Sequence, residues 1–202
     1  MSYSDFDLKK VKQQLGLTLL EKERVFASID SAGVDPYFAQ TLQENVPLAR
    51  AINTEKARSE LIISNVLVEV RKILKHKISL FSGVEFNVDK EKGLNGFCDF
   101  LISASREQLI INSPIVTVVE AKNENIIGAL GRCIAEMYAA QLFNREENND
   151  FVSKIYGVVT TGTAWKFLVM EYSTVTIDLD EYFIEDPGKI IGIFLGMVAQ
   201  NT

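Results

Sequence analysis

Ile115-Val116-Thr117-Val118-Val119-Glu120-Ala121-Lys122 decides the fold: five β-branched residues in a row end in an acid and a base two positions apart. Such a run reads as a strand. Side chains two apart in a strand project the same way, so Glu120 and Lys122 leave its end together. Upstream, Gly96-Phe97-Cys98-Asp99-Phe100-Leu101-Ile102 places Asp99 inside an apolar run where Val or Ile would be favoured, and alternation sets it on one face with Phe97 and Leu101. A further strand-type run covers 78–88. Polar or Gly/Asn/Pro-bearing segments separate the three, which predicts an antiparallel meander over 78–88, 96–104 and 115–121.

Outward from this meander the pattern turns helical on both sides. Asn125 is a helix N-cap for 126–144, where Gly128, Gly131, Ala135 and Ala139 form a small-residue stripe that lets a helix lie close to a sheet. Neither GxGxxG nor GxxxxGK is present, so these glycines read as packing and not as a phosphate loop. Residues 154–160 and 164–171 read as a hairpin around Thr161-Gly162-Thr163, followed by a strand at 175–179 and a helix after Asp186-Pro187. Before the meander, 54–74 reads as one long helix with Arg58, Asn65, Glu69 and Lys72 on a face expected to meet water. The first fifty residues carry helical patterns at 9–15, 20–28 and 35–51, with Pro36 in a first-turn position after Asp35.

The expected fold is therefore α/β: a single domain over 1–202, with a helical cap (1–53), a helix, three-strand, helix, strand core (54–165) and C-terminal strands and helix (166–202). A right-handed crossover would set the fourth strand parallel to the third, giving a mixed central sheet flanked by helices.

With 202 residues, 47% apolar and 24% charged, the chain has the composition of one globular domain. Its start is polar, without an apolar segment behind a basic head, and its apolar runs, such as 190–198, are broken by glycine and short for a bilayer. These features predict a cytoplasmic protein with no membrane partner. Cys98 and Cys133 lack CxxC or Cys/His spacing and read as buried thiols. A lone histidine, His76, rules out a His-rich zinc site and leaves any Ser/His/Asp triad to that residue alone. The net charge of −6 confines any nucleic-acid surface to a local patch. Arg71, Lys72, Lys75, His76 and Lys77 are one such cluster, equally readable as a basic helix C-terminus.

Glu60 stands out in the long helix. On a uniform helical wheel it lies about 160° from the polar face, among Ile63, Leu67, Val70 and Leu74. A buried carboxylate needs a cation or strong donors, either a metal or an ion pair with Arg71 or Arg132. Asp99, Glu120 and the Ala121 carbonyl supply hard oxygens suited to Mg²⁺, or Mn²⁺ in its place, which keeps waters for substrate and nucleophile. Lys122 would orient such a water or, with a lowered pKa, accept its proton.

A strand Asp, a Glu-x-Lys two strands' length later and a Glu on the preceding helix together resemble the PD-(D/E)xK nuclease superfamily, over about residues 54–165. The resemblance implies a restriction-endonuclease-like core, with Asp99 and Glu120 as metal ligands, Lys122 as the catalytic lysine and Glu60 as the helix acid. Cys98 stands where the family's proline would be. Where many relatives carry a glutamine, Arg132 or Glu136 holds the place, and Gln141 falls on another face. Residues 156–165 are similar to the strand and turn that follow the second helix in bacterial relatives, with Trp165 as a base-stacking residue or a structural one. The implied function is Mg²⁺-dependent phosphodiester hydrolysis, as an endonuclease on DNA, with a homodimer favoured for cutting both strands. The alternatives are a nuclease-like nucleic-acid-binding or regulatory module without catalysis, and a structural or protein-interaction domain whose acids form internal salt bridges.

Overall fold

The run at 115–121 is a central strand of a mixed eight-stranded sheet. The computed structural model describes residues 1–149 and 152–200. In chain order these form α1 (Leu8–Gln14), β1 (Thr18–Lys22), α2 (Pro36–Ile52), α3 (Glu55–Arg58), a π-helical segment (Ser59–Ile63) and α4 (Ser64–Ile73). Then follow β2 (Ser79–Glu85), β3 (Phe97–Ser103), β4 (Ile115–Ala121), α5 (Ile126–Glu146), β5 (Lys154–Thr160), β6 (Ala164–Glu171), β7 (Thr174–Asp178), β8 (Tyr182–Phe183) and α6 (Pro187–Ala199).

The strands lie in the order β1-β7-β6-β5-β4-β3-β2, with β8 pairing β6. β2, β3 and β4 form the expected antiparallel meander, and α5 crosses over so that β5 runs parallel to β4. The β5–β6 hairpin turns at Thr161-Gly162-Thr163, where Gly162 has a φ of 80° that a side chain would resist. One apolar core fills the space between the sheet and the α1/α5 layer, and a second lies beneath α2, α4 and α6 on the other face.

Cys98 and Cys133 are buried free thiols. α5 is long and apolar enough to cross a membrane by length and composition, but it is a core helix packed on β4 and β5. Asn125 caps it, accepting from Gly128 N–H at 2.8 Å. The small-residue stripe does not act as expected throughout. A Cβ on Gly131 would fall 2.4 Å from Asp7 Cα, so this glycine admits the N-terminal backbone and not the sheet. Helix and sheet approach instead through Gly157 on β5, whose added Cβ would meet Met137 Sδ at 2.4 Å.

Two expectations about the N-terminal third are corrected. Residues 20–28 are not a helix: Thr18–Lys22 is a strand paired in parallel with β7, and Arg24 at φ 60° turns the chain away from helical geometry. Phe26 N–H donates to Asp178 Oδ2 at 3.2 Å, so contacts remote in sequence override local propensity here. The polar face of the long helix does not simply meet water either. Glu69 is buried, Arg58 and Asn65 are half-buried, and α2 lies across the helix, with Asn45 Nδ2 donating to Leu61 O and Lys72 pairing with Asp35 at 3.3 Å.

Candidate active site

β4 delivers Glu120 into the α5 side of the sheet, where the residue is 0% exposed. Lys122 Nζ lies 2.7 Å from Glu120 Oε1. The Lys122 backbone N–H donates to Thr160 O at 2.8 Å, extending the β4–β5 ladder by one residue and fixing the base at the strand end. Asp99 joins them through the backbone. The β3–β4 pairing ends at Phe100↔Val119, and beyond it Asp99 Oδ2 accepts the Ala121 N–H at 2.8 Å. Leu101 and Cys98, three apart, belong to the same core, so alternation breaks at Asp99, opposite Gly83 with its φ of 61°.

α5 completes the cluster, because Arg132 and Glu136 are one turn apart on the helix face nearest β4. All three guanidinium nitrogens are engaged: Nη1 lies 3.0 Å from Glu120 Oε1, Nε 3.1 Å from Glu136 Oε1, and Nη2 donates to Phe97 O at 2.8 Å. Three carboxylates thus face two cations. Glu120 Oε2 and Glu136 Oε2 are buried without a hydrogen-bond partner among the described residues.

The electrostatics follow from burial and crowding. Desolvation, then the Asp99 charge, pushes the Glu120 carboxyl up to about 7 against the pull of Arg132 and Lys122. Glu136 is held well above the usual range by burial and by Glu120. Burial pulls Lys122 down, yet the Glu120 and Glu55 carboxylates outweigh it and keep the ammonium above its ordinary value.

Glu60 does not reach this cluster. Its side chain is 60% exposed and pairs with Lys56 at 2.7 Å, not with Arg71, Arg132 or the strand acids. The cause is the π-helical segment, which inserts one residue into the helical period. The buried stripe jumps from Ala57 to Ile62, five residues instead of three or four, and Glu60 rotates outward. Glu55, in the first turn of α3, approaches the site instead, with Oε2 3.6 Å from Lys122 Nζ. Sequence reasoning missed it because an acid in the first turn of a helix is ordinary dipole chemistry.

Other expected residues lie elsewhere. Trp165 is buried under α6, its Nε1 donating to Gly162 O at 2.9 Å and its ring edge-on to Phe194, so it is structural and offers no face to a base. The basic cluster around His76, where Arg71 contacts the ring, sits beside the first residues of β2. Asp99 lies opposite Gly83, farther along that strand from Ser79, or about 13 Å away at 3.3 Å per residue. Arg58 lies closer: it ties α3 to the β4–α5 loop through Asn123 Oδ1 (3.0 Å) and to the β5–β6 turn through Thr161 O (3.2 Å).

Among the described residues no group of three or more His, Cys, Asp or Glu side chains forms a metal cage. Mg²⁺ needs none, since it is commonly held by one or two carboxylates with water and substrate oxygens. Glu120 Oε2, without a hydrogen-bond partner among the described residues, is such a donor, and Asp99 lies on the neighbouring strand, so the residues fit a hard divalent ion. No family model matches the chain, and no curated protein matches it.

Proposed function

We propose that this protein is a Mg²⁺-dependent phosphodiester hydrolase, an endonuclease on DNA built on a restriction-endonuclease-like core. One observation carries the reading: Asp99, Glu120 and Lys122 meet at the end of β4 around a buried carboxylate oxygen that has no hydrogen-bond partner among the described residues. The helix, three-strand, helix, strand order with β5 parallel to β4 supports it. Keeping several charged groups under one dry face destabilises the fold, and such arrangements concentrate at functional sites.

Asp99 and Glu120, with the Ala121 carbonyl, would hold the ion. A bound Mg²⁺ supplies Lewis-acid polarisation of a phosphate and a more acidic water. Lys122 stays protonated beside Glu120 and Glu55, so it donates hydrogen bonds, placing an attacking water and balancing charge on a phosphate oxygen. Glu136 anchors Arg132 through Nε, and Glu55 limits the travel of Lys122. A reducing, cytoplasmic setting suits the two free thiols, and a homodimer would place two such sites on the two strands of a duplex.

A second reading rests on Arg132. Its guanidinium already neutralises Glu120, as expected of a nucleic-acid-binding or regulatory module that has lost catalysis. Incubation of supercoiled plasmid and single-stranded DNA with Mg²⁺ or Mn²⁺ separates the two. Cleavage that disappears in Lys122→Ala and Asp99→Ala supports the hydrolase. Intact DNA with the wild-type protein removes it, and cleavage persisting in Lys122→Ala places the activity outside this site.

A further inference from the structure

Arg132 and Lys122 share one oxygen of Glu120. The Arg132 Nη1 lies 3.0 Å from the same Oε1 that Lys122 reaches at 2.7 Å. The guanidinium is not free to wander, because Glu136 takes Nε from within α5 and the Phe97 carbonyl takes Nη2 from β3. A rigid fork with three fixed contacts loses little entropy in holding its carboxylate, and delocalised Arg charge is more easily desolvated than an ammonium. The wall beyond Arg132 is a cavity of about 230 Å³, which it lines with Ser2, Ser4, Asn95 and Phe97. The guanidinium therefore stands between a solvent-connected recess and the buried acid.

Building on the hydrolase reading, we propose that Arg132 is a built-in cation that competes with a divalent ion for Glu120 and so sets the ion concentration at which the site fills. A metal and a guanidinium cannot both neutralise one carboxylate at full strength, because each withdraws the charge that attracts the other. Glu136 serves as a positioning residue in this arrangement, keeping the fork turned toward β4. Among the described residues Glu120 and Glu136 are the carboxylates within ion-pair distance of the guanidinium, and the Asp99 charge acts on it from farther off.

The test is a Mn²⁺ titration followed by thermal shift of the full chain after EDTA treatment, in the wild type and in Arg132→Gln, Arg132→Met and Arg132→Lys. The Gln and Met variants should half-saturate at about tenfold lower Mn²⁺ than wild type, while Lys, which keeps the charge, should stay near the wild type. Adding Asp99→Ala to Arg132→Gln should abolish the shift. Met serves as a second uncharged side chain should Gln not fold, with a cooperative melt in EDTA as the criterion. Equal half-saturation in wild type, Gln and Met overturns the proposal and leaves metal binding standing. An equal tightening in all three variants, Lys included, assigns the effect to loosened packing and overturns it as well. Absence of any Mn²⁺ shift in all four proteins removes the metal reading itself.

Discussion

Glu120→Gln should stabilise the metal-free protein at alkaline pH. The Glu120 carboxyl rises from its usual 4.5 to about 7 in the folded chain, because burial and Asp99 outweigh Arg132 and Lys122. The folded state therefore binds this proton more tightly than the unfolded state. Its contribution is fully present below pH 4.5 and is lost as pH rises through 7. Over that interval the linkage amounts to about 3 kcal/mol, at 1.36 kcal/mol for each factor of ten in proton affinity. Glutamine resembles the protonated acid at every pH. The variant should thus match wild type near pH 4.5 and exceed it at pH 8 by about 3 kcal/mol, or about 6–12 °C in Tm for a chain of this size. Relief of Glu136, which Glu120 also raises, acts in the same direction. Urea denaturation in EDTA across pH 4.5–8 reads the difference directly. Equal midpoints at pH 8, or a gap that does not open with pH, would refute the charge arrangement.

Glu60→Ala should leave melting within about 0.5 kcal/mol of wild type and leave Mn²⁺ titration unmoved, since it removes only an exposed ion pair with Lys56. Arg58→Ala unties α3 from the β4–α5 loop and the β5–β6 turn; a loss of about 1–3 kcal/mol in urea melts should come with faster hydrogen exchange at 161–163. Gly131→Ala would drive a Cβ to 2.4 Å from Asp7 Cα and 2.7 Å from Phe6 O. Because backbone cannot give way as a side chain can, it should cost about 1–3 kcal/mol and expose the N-terminal segment to limited proteolysis.

The parts of the fold legible in the sequence are those whose signal is local. The β-branched run at 115–121, the hairpin at 154–171 and the Asn125 cap needed only neighbouring residues to be read. β1 was misread as helix because its partner is β7, more than 150 residues later. The site divides in the same way. Glu120 and Lys122 meet by alternation at one strand end, and Asp99 joins them by the pairing of the adjoining strand. Glu60 failed because a uniform 100° wheel has no room for the residue inserted at Ser59–Ile63. Glu55 reaches Lys122 from the first turn of α3, a contact that no local pattern marks. The resemblance set Arg132 or Glu136 beside the site, while the grip of Arg132 on Glu120, with Glu136 holding the guanidinium, needed the distance between α5 and β4.

The parallel pairing of β1 with β7 bears on how the chain is made. Every side chain of the carboxylate cluster, from Glu55 to Glu136, has been synthesised by residue 136, yet Thr18 has no partner until Thr174 exists. A nascent chain therefore carries its N-terminal strand as an open edge, with unpaired backbone groups, through most of translation. Closure of a loop this long is slow compared with the local hairpins, so the sheet is completed from its C-terminal side. A chain cut short after β5 would hold every residue of the cluster, yet it would lack β6, β7, β8 and α6, leaving β1 without its partner strand and one apolar core half built.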